Sequence, residues 1–402
     1  MFELCSRCAA QLVIRGYSLC PLFLLGAMDA LYLRSPWLQG RFRYHLTPGI
    51  SDVAALAWQC GLTTEEHSVT TPDGYVLTLH RLGRKGCSSS SGPSVLLLHG
   101  LMQDGESFIV GGRSSLAATL VLERGCDVWL AHARGSKYSQ RGVHSVSTDA
   151  FWGYCLDELV DDVPLLIDLV RQQQRHSGGS GDSSSRKIVC VGFSQGSALL
   201  SCALSKYPHL NHCLALLVCL GPAVRPGRLA PSFLVSLLQT RPWVVQLLCG
   251  RRGMFASTLL WQRVLSAQAF AALCSGAMRF LFKWNLSQIS LARQAQLFEH
   301  IYSPISSRTI THWFKTVASK RLARFDGRSE YDLTKITCPV AVFAGGKDEL
   351  VDSSALCELA AHVVLYHCEP QYEHLDLIWA DNAPARIFRP LLQVLDLCTK
   401  DC

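Results

Sequence analysis

Charged side chains are scarce in this 402-residue chain, in which 17% of residues are Asp, Glu, Lys or Arg and 49% are apolar. Disordered chains combine low hydrophobicity with high charge, so this composition excludes disorder and indicates a globular protein with a large core. At this length we expect one enlarged domain or two.

Acidic residues are especially scarce in residues 222–337, which contain 16 Lys or Arg and 4 Asp or Glu, a net charge of +12. A basic segment first suggests nucleic acid, but this one is rich in Leu, Phe and Trp and has no nucleic-acid-binding motif, so no nucleic-acid partner is predicted. Two interpretations stay open: a basic, apolar surface that faces lipid head groups, or a solvated face of basic helices.

Paired metal-binding motifs are missing, although the chain has 18 cysteines. Cys5 and Cys8 form a CxxC pair that no second pair or nearby histidine accompanies, so no zinc site is predicted. A disulfide framework is typical of short secreted chains, and we therefore expect reduced cysteines that pack as small apolar residues. No metal or organic cofactor is implied.

Apolar runs long enough to cross a bilayer are also missing at the N-terminus, where residues 16–28 form an uncharged run of 13 residues. We favour a membrane anchor or a membrane-adjacent hairpin. A cleaved signal peptide and a buried helix are the alternatives, and Asp29 lies where a small-x-small cleavage site would be sought.

Apolar runs alternate with helical patterns along the rest of the chain. Alternating residues around Pro72-Asp73-Gly74 predict a β-hairpin over residues 66–82. Continuous apolar runs predict buried strands, and stretches with helical spacing separate them. The predicted strands cover residues 94–99, 126–131, 187–192, 213–220, 338–344 and 363–368, and the predicted helices cover residues 115–123, 151–171 and 197–206. This alternation predicts an α/β fold, a mostly parallel central sheet with helices on both faces.

Residues 222–337 lack a strand pattern and contain apolar helices, for example over residues 233–249 and 259–281. We interpret them as a helical cap inserted into the sheet domain. The predicted organisation is therefore an anchor- or signal-like segment (1–45), the first part of the core (46–221), the cap (222–337) and the second part of the core (338–402).

A G-x-S-x-G pattern, residues 192–196, lies between a predicted strand and a predicted helix. In that position the central serine occupies a sharp turn whose glycines let strand and helix approach closely, and the following helix N-terminus favours developing negative charge. Ser194 is therefore the candidate nucleophile.

A serine nucleophile needs a base and a carboxylate that orients the base, and with this turn they follow in the order Ser, Asp or Glu, His. Asp348 follows a buried strand and a Gly-Gly loop and is the candidate acid. Asp352 is the reserve, and Glu349 points differently.

His374 is the candidate base because it lies in a loop just before a short helical stretch, from which its ring can swing over the sheet edge. His367 lies in or at the end of a strand, and His362 lies in an apparent helix. The N–H of Gln195 and the N–H of Leu101 are the candidate oxyanion donors. His99 is expected to pack the turn rather than to take part in catalysis.

Several longer motifs resemble the acid lipase family, which includes lysosomal acid, gastric and fungal steryl ester lipases. The resemblance extends from about residue 50 to 397 and implies an α/β-hydrolase fold with Ser194, Asp348 and His374 as nucleophile, acid and base. It also implies Leu101 and Gln195 at the oxyanion hole. The motifs are TPDGYVLTLHRL, LLLHGLMQD, DVWLAHARGSKYS, FWGYCLDELVDDVP, GFSQG, SPISSRTITHWFK, GGKDELVD and YEHLDLIW.

Three features differ from the animal members of that family. Cys274 has no close second cysteine where those members carry a disulfide, only one sequon is present (Asn285-Leu286-Ser287), and the N-terminus is not a clean signal. These features resemble the membrane-anchored fungal steryl ester hydrolases. They predict an intracellular, membrane-associated protein at the endoplasmic reticulum or lipid droplets, with a lysosomal or secreted location as the alternative.

The predicted function is hydrolysis of water-insoluble esters, either steryl esters or triacylglycerols, through an acyl-enzyme on Ser194. The predicted partners are a neutral lipid ester and a membrane or lipid-droplet surface. Two alternatives stay open: a catalytically silent scaffold that binds lipid or a partner, and acyl transfer to an alcohol by the same residues.

Overall fold

Within the part of the chain that the structure describes, a nine-stranded sheet forms the centre of the molecule. The computed structural model describes residues 29, 52–87, 90–177, 187–227 and 252–400. The strands are β1 (Leu62–Thr70), β2 (Tyr75–Arg84), β3 (Ser94–Leu98), β4 (Asp127–Ala131), β5 (Arg141–Gly142), β6 (Ile188–Phe193), β7 (Leu214–Leu220), β8 (Gly253–Met254), β9 (Ile305–Ser306), β10 (Val340–Gly345) and β11 (Val363–Glu369). Their order in the sheet is β1-β2-β4-β3-β6-β7-β10-β11, with β5 beside β2, while β8 and β9 form a separate pair.

The helices of the described residues lie mainly between these strands. They are α1 (Asp52–Cys60), α2 (Leu116–Arg124), α3 (Leu156–Ser177), α4 (Gln195–Lys206), α5 (Thr258–Val264), α6 (Ala267–Phe282), α7 (Leu291–Phe298), α8 (Ser307–Ser319), α9 (Ala355–Leu359), α10 (Asp376–Trp379) and α11 (Arg389–Cys398).

The adjacent strands β4, β3, β6, β7, β10 and β11 pair in parallel, whereas β2 pairs antiparallel with β1, β4 and β5. Every residue of β3, β6 and β7 is buried, as continuous apolar runs predict for strands that are covered on both faces. Successive residues of β3 point into different apolar clusters, Val95 into the one that contains residues of α2 and α11, and Leu96 into the one that contains residues of α3 and α4. The predicted α/β fold with helices on both faces is therefore confirmed.

Two helix predictions differ from the structure. The helix predicted to start at residue 151 starts at Leu156. The single helix predicted over residues 259–281 is divided into α5 and α6, because the hydroxyl of Ser266 accepts a hydrogen bond from the N–H of Ala269 and begins a new helix there. Serine is a strong N-cap residue, which explains the break in an otherwise continuous apolar pattern.

Other predictions lie outside the described residues. These are the segment 1–45 apart from Asp29, the helix over residues 233–249 and the Cys5–Cys8 pair. Among the helices that are described, none combines the length and the apolar character needed to cross a membrane. The thirteen described cysteines are all free, and nine of them are buried.

The described part of the predicted cap contains β8, β9 and α5 to α8, and it meets the sheet domain at the loop after β3. The N–H of Ser303 donates to the carbonyl of Met102 at 2.7 Å, and the Ser303 hydroxyl accepts from the N–H of Lys137 at 2.8 Å. His300 lies beside this contact, with Nδ1 2.7 Å from a carboxylate oxygen of the buried Glu106. These bonds fix the cap segment against the loop that carries Leu101.

Candidate active site

Ser194 lies at the junction of β6 and α4 with φ +53° and ψ −114°. A residue with a side chain in such a sparsely populated conformation costs about 1–3 kcal/mol and persists only when its surroundings hold it. Here the N–H of Ser194 donates to the carbonyl of Leu220 on β7 at 2.8 Å, and its carbonyl accepts from the N–H of Ala198 on α4 at 3.2 Å. Both neighbouring elements thus fix the strained turn.

The two glycines of the motif let the backbone pass where a side chain would collide. A Cβ at Gly196 would lie 2.0 Å from the carbonyl oxygen of Leu98 on β3, and a Cβ at Gly192 would lie 2.4 Å from the N atom of Ser197. Both obstacles are backbone atoms, which cannot rotate away as a flexible side chain can. The start of α4 therefore lies directly against β3 and β6.

Asp348 and His374 form the central contact of the site. Nδ1 of His374 lies 2.6 Å from Oδ2 of Asp348, whose Oδ1 accepts a further bond from the N–H of Leu350 at 3.0 Å. The two side chains are 3% and 1% exposed. Because a carboxylate only accepts hydrogen bonds, this contact assigns the proton of the neutral imidazole to Nδ1 and the lone pair to Nε2.

Nε2 of His374 is buried and has no hydrogen-bond partner among the described residues. The ring lies 5.0 Å, centroid to centroid, from that of Phe193, the residue before Ser194, and Trp284 of the cap stacks on it at 5.8 Å and 20°. A Cβ at Gly221 would lie 3.0 Å from Cε1 of the imidazole. The imidazole thus lies against the residue that precedes the strained serine and is covered by an aromatic ring, while its Nε2 makes no hydrogen bond to any described residue, Ser194 included.

The loop after β3 contains the second candidate oxyanion donor. The N–H of Gly100 is already bound to the side-chain oxygen of Gln103 at 3.1 Å, which leaves the next N–H, that of Leu101, as the candidate. His99 supports the loop from below: Nδ1 lies 2.8 Å from the carbonyl oxygen of Gly100, and Nε2 accepts from the N–H of Ala133 at 3.1 Å. With both nitrogens bound to backbone, and with its pKa lowered by burial to about 4, His99 has the packing role expected of it.

Gln195, the first residue of α4, is 1% exposed. Its side-chain oxygen accepts a hydrogen bond of 2.6 Å from the indole N–H of Trp313 on α8. This bond turns the side chain of Gln195 toward the cap. The group that remains for the predicted oxyanion contact is the backbone N–H of Gln195. Leu101 also faces the cap, since it packs against an apolar cluster built on Met254, Ile305 and Ile310.

The alternative acid and base candidates lie elsewhere. Oδ2 of Asp352 is 3.2 Å from a guanidinium nitrogen of Arg225, and the carboxylate is 41% exposed. His367 pairs with Glu369 on the same strand at 3.3 Å. Glu349 and His362 are exposed.

Three residues next to the candidate site were not predicted from the sequence: Trp284, Trp313 and Glu373. The Glu373 carboxylate is buried and accepts hydrogen bonds from the N–H groups of Asn285 and Leu286 at 2.7 and 2.9 Å. Glu373 precedes His374, so it ties the base-carrying loop to the cap residues that follow Trp284. The position of Glu373 within the YEHLDLIW motif, and that of Trp313 within SPISSRTITHWFK, could have drawn attention to these two residues. No periodic pattern marks contacts between distant segments.

Two groups of side chains in the described part have metal-binding geometry, and neither includes Ser194, Asp348 or His374. In the group of Asp52, Glu106 and His300, the ammonium of Lys137 already lies 2.5 and 2.6 Å from the two carboxylates. In the group of Cys155, Asp157 and His312, the carboxylate oxygens of Asp157 accept bonds from the N–H of Phe325 and the hydroxyl of Tyr331.

Comparisons with known proteins agree with the fold. Residues 93–381 match the family described as the alpha/beta hydrolase fold, and residues 53–112 match a partial alpha/beta-hydrolase lipase region. A Schizosaccharomyces pombe protein named "probable lipase" is 31% identical over 372 residues, which cover 86% of this chain and 78% of that protein. Human lysosomal acid lipase/cholesteryl ester hydrolase is 26% identical over 369 residues, with coverage of 83% and 88%.

A solved structure of a soluble variant of Saccharomyces cerevisiae monoglyceride lipase, in complex with a substrate analogue, shares the fold. Its TM-score is 0.51 at 16% identity, and the match covers 84% of this chain and 96% of that one. The chain belongs to the α/β-hydrolase fold family and, within it, to the lipases, which are carboxylic ester hydrolases.

Proposed function

We propose that the protein hydrolyses carboxylic esters through an acyl-enzyme on Ser194. The observation that carries the proposal is the 2.6 Å contact between Asp348 and His374, with Nε2 of His374 unoccupied beside the strained turn of Ser194. His374 takes the serine proton as the hydroxyl attacks the ester carbonyl and then gives that proton to the leaving alcohol. A water molecule deprotonated by the same nitrogen then releases the fatty acid.

Asp348 holds the imidazole in the tautomer that this cycle needs and stabilises the imidazolium that forms during it. The negative charge of the tetrahedral intermediate develops next to the start of α4, where the N–H groups of Gln195 and Leu101 are the proposed donors. Trp284 covers the imidazole, and exclusion of water there strengthens these interactions.

A fluorophosphonate probe with intact-mass readout tests the nucleophile. We expect one label on the wild-type chain and none on Ser194→Ala, together with a loss of turnover of at least about 10³-fold, as for other triad deletions. Ser201→Ala is the matched control, since Ser201 is a buried serine further along α4, and it should label and turn over like the wild type. An unlabelled wild-type chain would overturn the proposal and favour a silent scaffold.

We propose a water-insoluble ester, a steryl ester or a triacylglycerol, as the substrate. Apolar side chains lie next to the proposed oxyanion loop, where Leu101 and Met102 pack against the same apolar cluster as Phe255, Leu281 and Phe314 of the cap. Apolar lining of this kind suits a long acyl chain, and a relative carries the name cholesteryl ester hydrolase. Steryl oleate, trioleoylglycerol and a soluble short-chain ester, each assayed with Ser194→Ala as blank, separate the possibilities. Faster turnover of the soluble ester than of both lipids would contradict the proposal.

We propose that the cap faces an anionic membrane or lipid-droplet surface. Helix α6 exposes Leu273 and Phe280, both 42% exposed, beside Arg279, and it carries no acidic residue. Apolar and basic side chains on one face are typical of interfacial helices.

Leu273→Glu should weaken binding to phosphatidylserine-containing vesicles at least about tenfold, because it places a charge in the interface. Leu397→Glu, which changes an exposed leucine of α11, is the control. Equal binding of both variants, or binding insensitive to salt, would contradict the proposal.

A further inference from the structure

Asp29 is a buried carboxylate that is fully engaged by the cap. It is 2% exposed, and its Oδ2 accepts from the N–H of Phe255 at 2.8 Å. Its Oδ1 accepts from the N–H and the hydroxyl of Ser257 at 2.7 and 2.6 Å. A buried carboxylate is tolerated only where donors replace the water it has lost, and here three donors converge on one group.

The residues that Asp29 holds are themselves constrained. Phe255 has φ +62°, and its ring stacks on Tyr302 with centroids 5.0 Å apart and planes 10° apart. Ser257 is the N-cap residue of α5, and its carbonyl accepts a hydrogen bond from the N–H of Leu260 at 2.9 Å. Because a bulky residue adopts a positive φ only when its surroundings enforce it, the bond from the Phe255 N–H to Asp29 is part of what fixes this turn.

Phe255 connects this turn to the proposed active site. It packs with Leu101 and Met102 against the cluster of Met254, Ile305 and Ile310. Met102 has φ +60°, and its carbonyl is held by the N–H of Ser303 from the other side. The loop with the proposed oxyanion donor and the Phe255 side chain, whose backbone Asp29 binds, therefore pack against the same apolar cluster.

We propose that Asp29 is a positioning residue, which docks on the cap turn at Phe255 and Ser257 and thereby holds the Leu101 loop in place. The working enzyme must then retain Asp29. The docking of Asp29 on the cap does not depend on the proposed function, whereas its effect on the Leu101 loop rests on that proposed function. Removal of a signal peptide by cleavage beyond residue 29 is incompatible with this role.

The N-terminus of the working enzyme gives the first test. The full chain is expressed in yeast, the fluorophosphonate-labelled fraction is isolated, and its N-terminal peptides are sequenced by mass spectrometry. We expect peptides that contain Asp29 in the labelled protein. A labelled, active fraction that begins after residue 29 would overturn the proposal.

Hydrogen exchange tests the docking without any assay of activity. Asp29→Asn keeps the shape of the side chain but turns an NH₂ group toward the donors of Phe255 and Ser257. Amide exchange over residues 253–257 and 101–103 should therefore be at least about tenfold faster than in the wild type. Ser257→Ala removes one donor and should give a smaller increase. Asp381→Asn is the control, because Asp381 also accepts a backbone N–H, that of Ser290, but is 47% exposed. Exchange in Asp29→Asn equal to that in Asp381→Asn would overturn the proposal.

Kinetics then separate positioning from folding. With active sites counted by fluorophosphonate labelling, Asp29→Asn should lower kcat on a soluble ester at least about tenfold while KM changes less than about twofold, because an oxyanion donor acts mainly on the transition state. An unchanged kcat per labelled site would show that Asp29 only stabilises the fold and would overturn the positioning role. Failure of the proposed function is distinct, since the wild type would then not label while the exchange result still stands.

Discussion

At the scale of single residues, the two nitrogens of the His374 imidazole differ. Nδ1 is bound to Asp348, and Nε2 has no hydrogen-bond partner among the described residues. The Asp348 carboxylate fixes the Nδ1 proton, and the opposite nitrogen points into a site covered by Trp284. A histidine held in this way is ready to accept a proton without turning its ring. Its proposed role as a base therefore depends on a residue 26 positions earlier in the chain.

We expect Asp348→Asn to lower kcat by about 10⁴-fold with little change in stability. The amide can present its carbonyl to a protonated Nδ1 or its NH₂ to a bare one, so the imidazole loses its fixed tautomer. Steady-state kinetics and thermal unfolding measure the two effects. Asp352→Asn is the matched control, because it removes an exposed partner of Arg225 and should retain kcat within about twofold. Similar losses in both variants would contradict the assignment of Asp348.

Ser194, Asp348 and His374 could be proposed as candidates from the sequence because a turn motif, a strand end and a loop position each leave a local pattern. Trp284, Trp313 and Glu373 could not, since their importance comes only from contacts between segments far apart in sequence. Trp313 and Gln195, for example, are 118 positions apart and meet through one hydrogen bond. Nothing in the residues around either one indicates that partner.

At the scale of elements, the contact between β3 and the first turn of α4 has no room for a side chain. A Cβ at Gly196 would overlap the carbonyl of Leu98, so any other residue must push α4 away from the sheet. Since Ser194 is the cap residue of that helix, its conformation depends on the same contact. The position of α4 and the geometry of the proposed nucleophile are thus set by the same contact.

Gly196→Ala should therefore destabilise the fold by about 1–3 kcal/mol and abolish probe labelling of Ser194. Urea unfolding and fluorophosphonate labelling measure the two effects. Gly276→Ala is the control, because Gly276 lies in the exposed part of α6 with nothing within 4 Å of its Cβ position. That change should stabilise the protein by about 0.5–1 kcal/mol, as alanine does in a helix. A Gly196→Ala protein that labels normally would contradict the argument.

The elements could be predicted best where burial is uniform. The all-apolar runs of β3, β6 and β7 identified them as central strands before their neighbours were known. The cap was harder to divide into elements, because apolar residues continue through the junction of α5 and α6 and only the Ser266 cap marks the boundary. Composition identifies an apolar helical region, but single polar side chains decide where one helix ends and the next begins.

At the scale of the whole molecule, buried ionisable groups make stability depend on pH in opposing directions. Burial lowers the pKa of His80 and of His99 to about 4, and it raises the pKa of Asp376 to about 7. A fall in pH therefore lowers the free energy of unfolding where these histidines must be protonated, and raises it where such carboxyl groups are protonated in the fold. The balance between the two sets the pH range in which the fold is most stable.

The contribution of His99 can be isolated by comparing the wild type with His99→Gln. In the unfolded chain this imidazole binds a proton below about pH 6.5, but in the fold it does so only below about pH 4. The contribution of the neutral His99 to the free energy of unfolding is therefore fully present above pH 6.5. As the pH falls toward 4, up to about 3 kcal/mol of that free energy is lost. Urea unfolding of both proteins at pH 7, 5.5 and 4.5 should show a narrowing difference in stability. A difference that stays constant would contradict the predicted linkage.

The position of β7 in the sheet has a consequence for synthesis on the ribosome. This strand is buried between β6, which precedes it, and β10, from which about 120 residues of mostly cap sequence separate it. At ordinary translation rates those residues take on the order of 10 s to make. Throughout that interval the nascent chain carries an unpaired, wholly apolar strand edge, the kind of surface on which chains aggregate. We therefore expect the unfinished protein, rather than the finished one, to be the species that depends on chaperones.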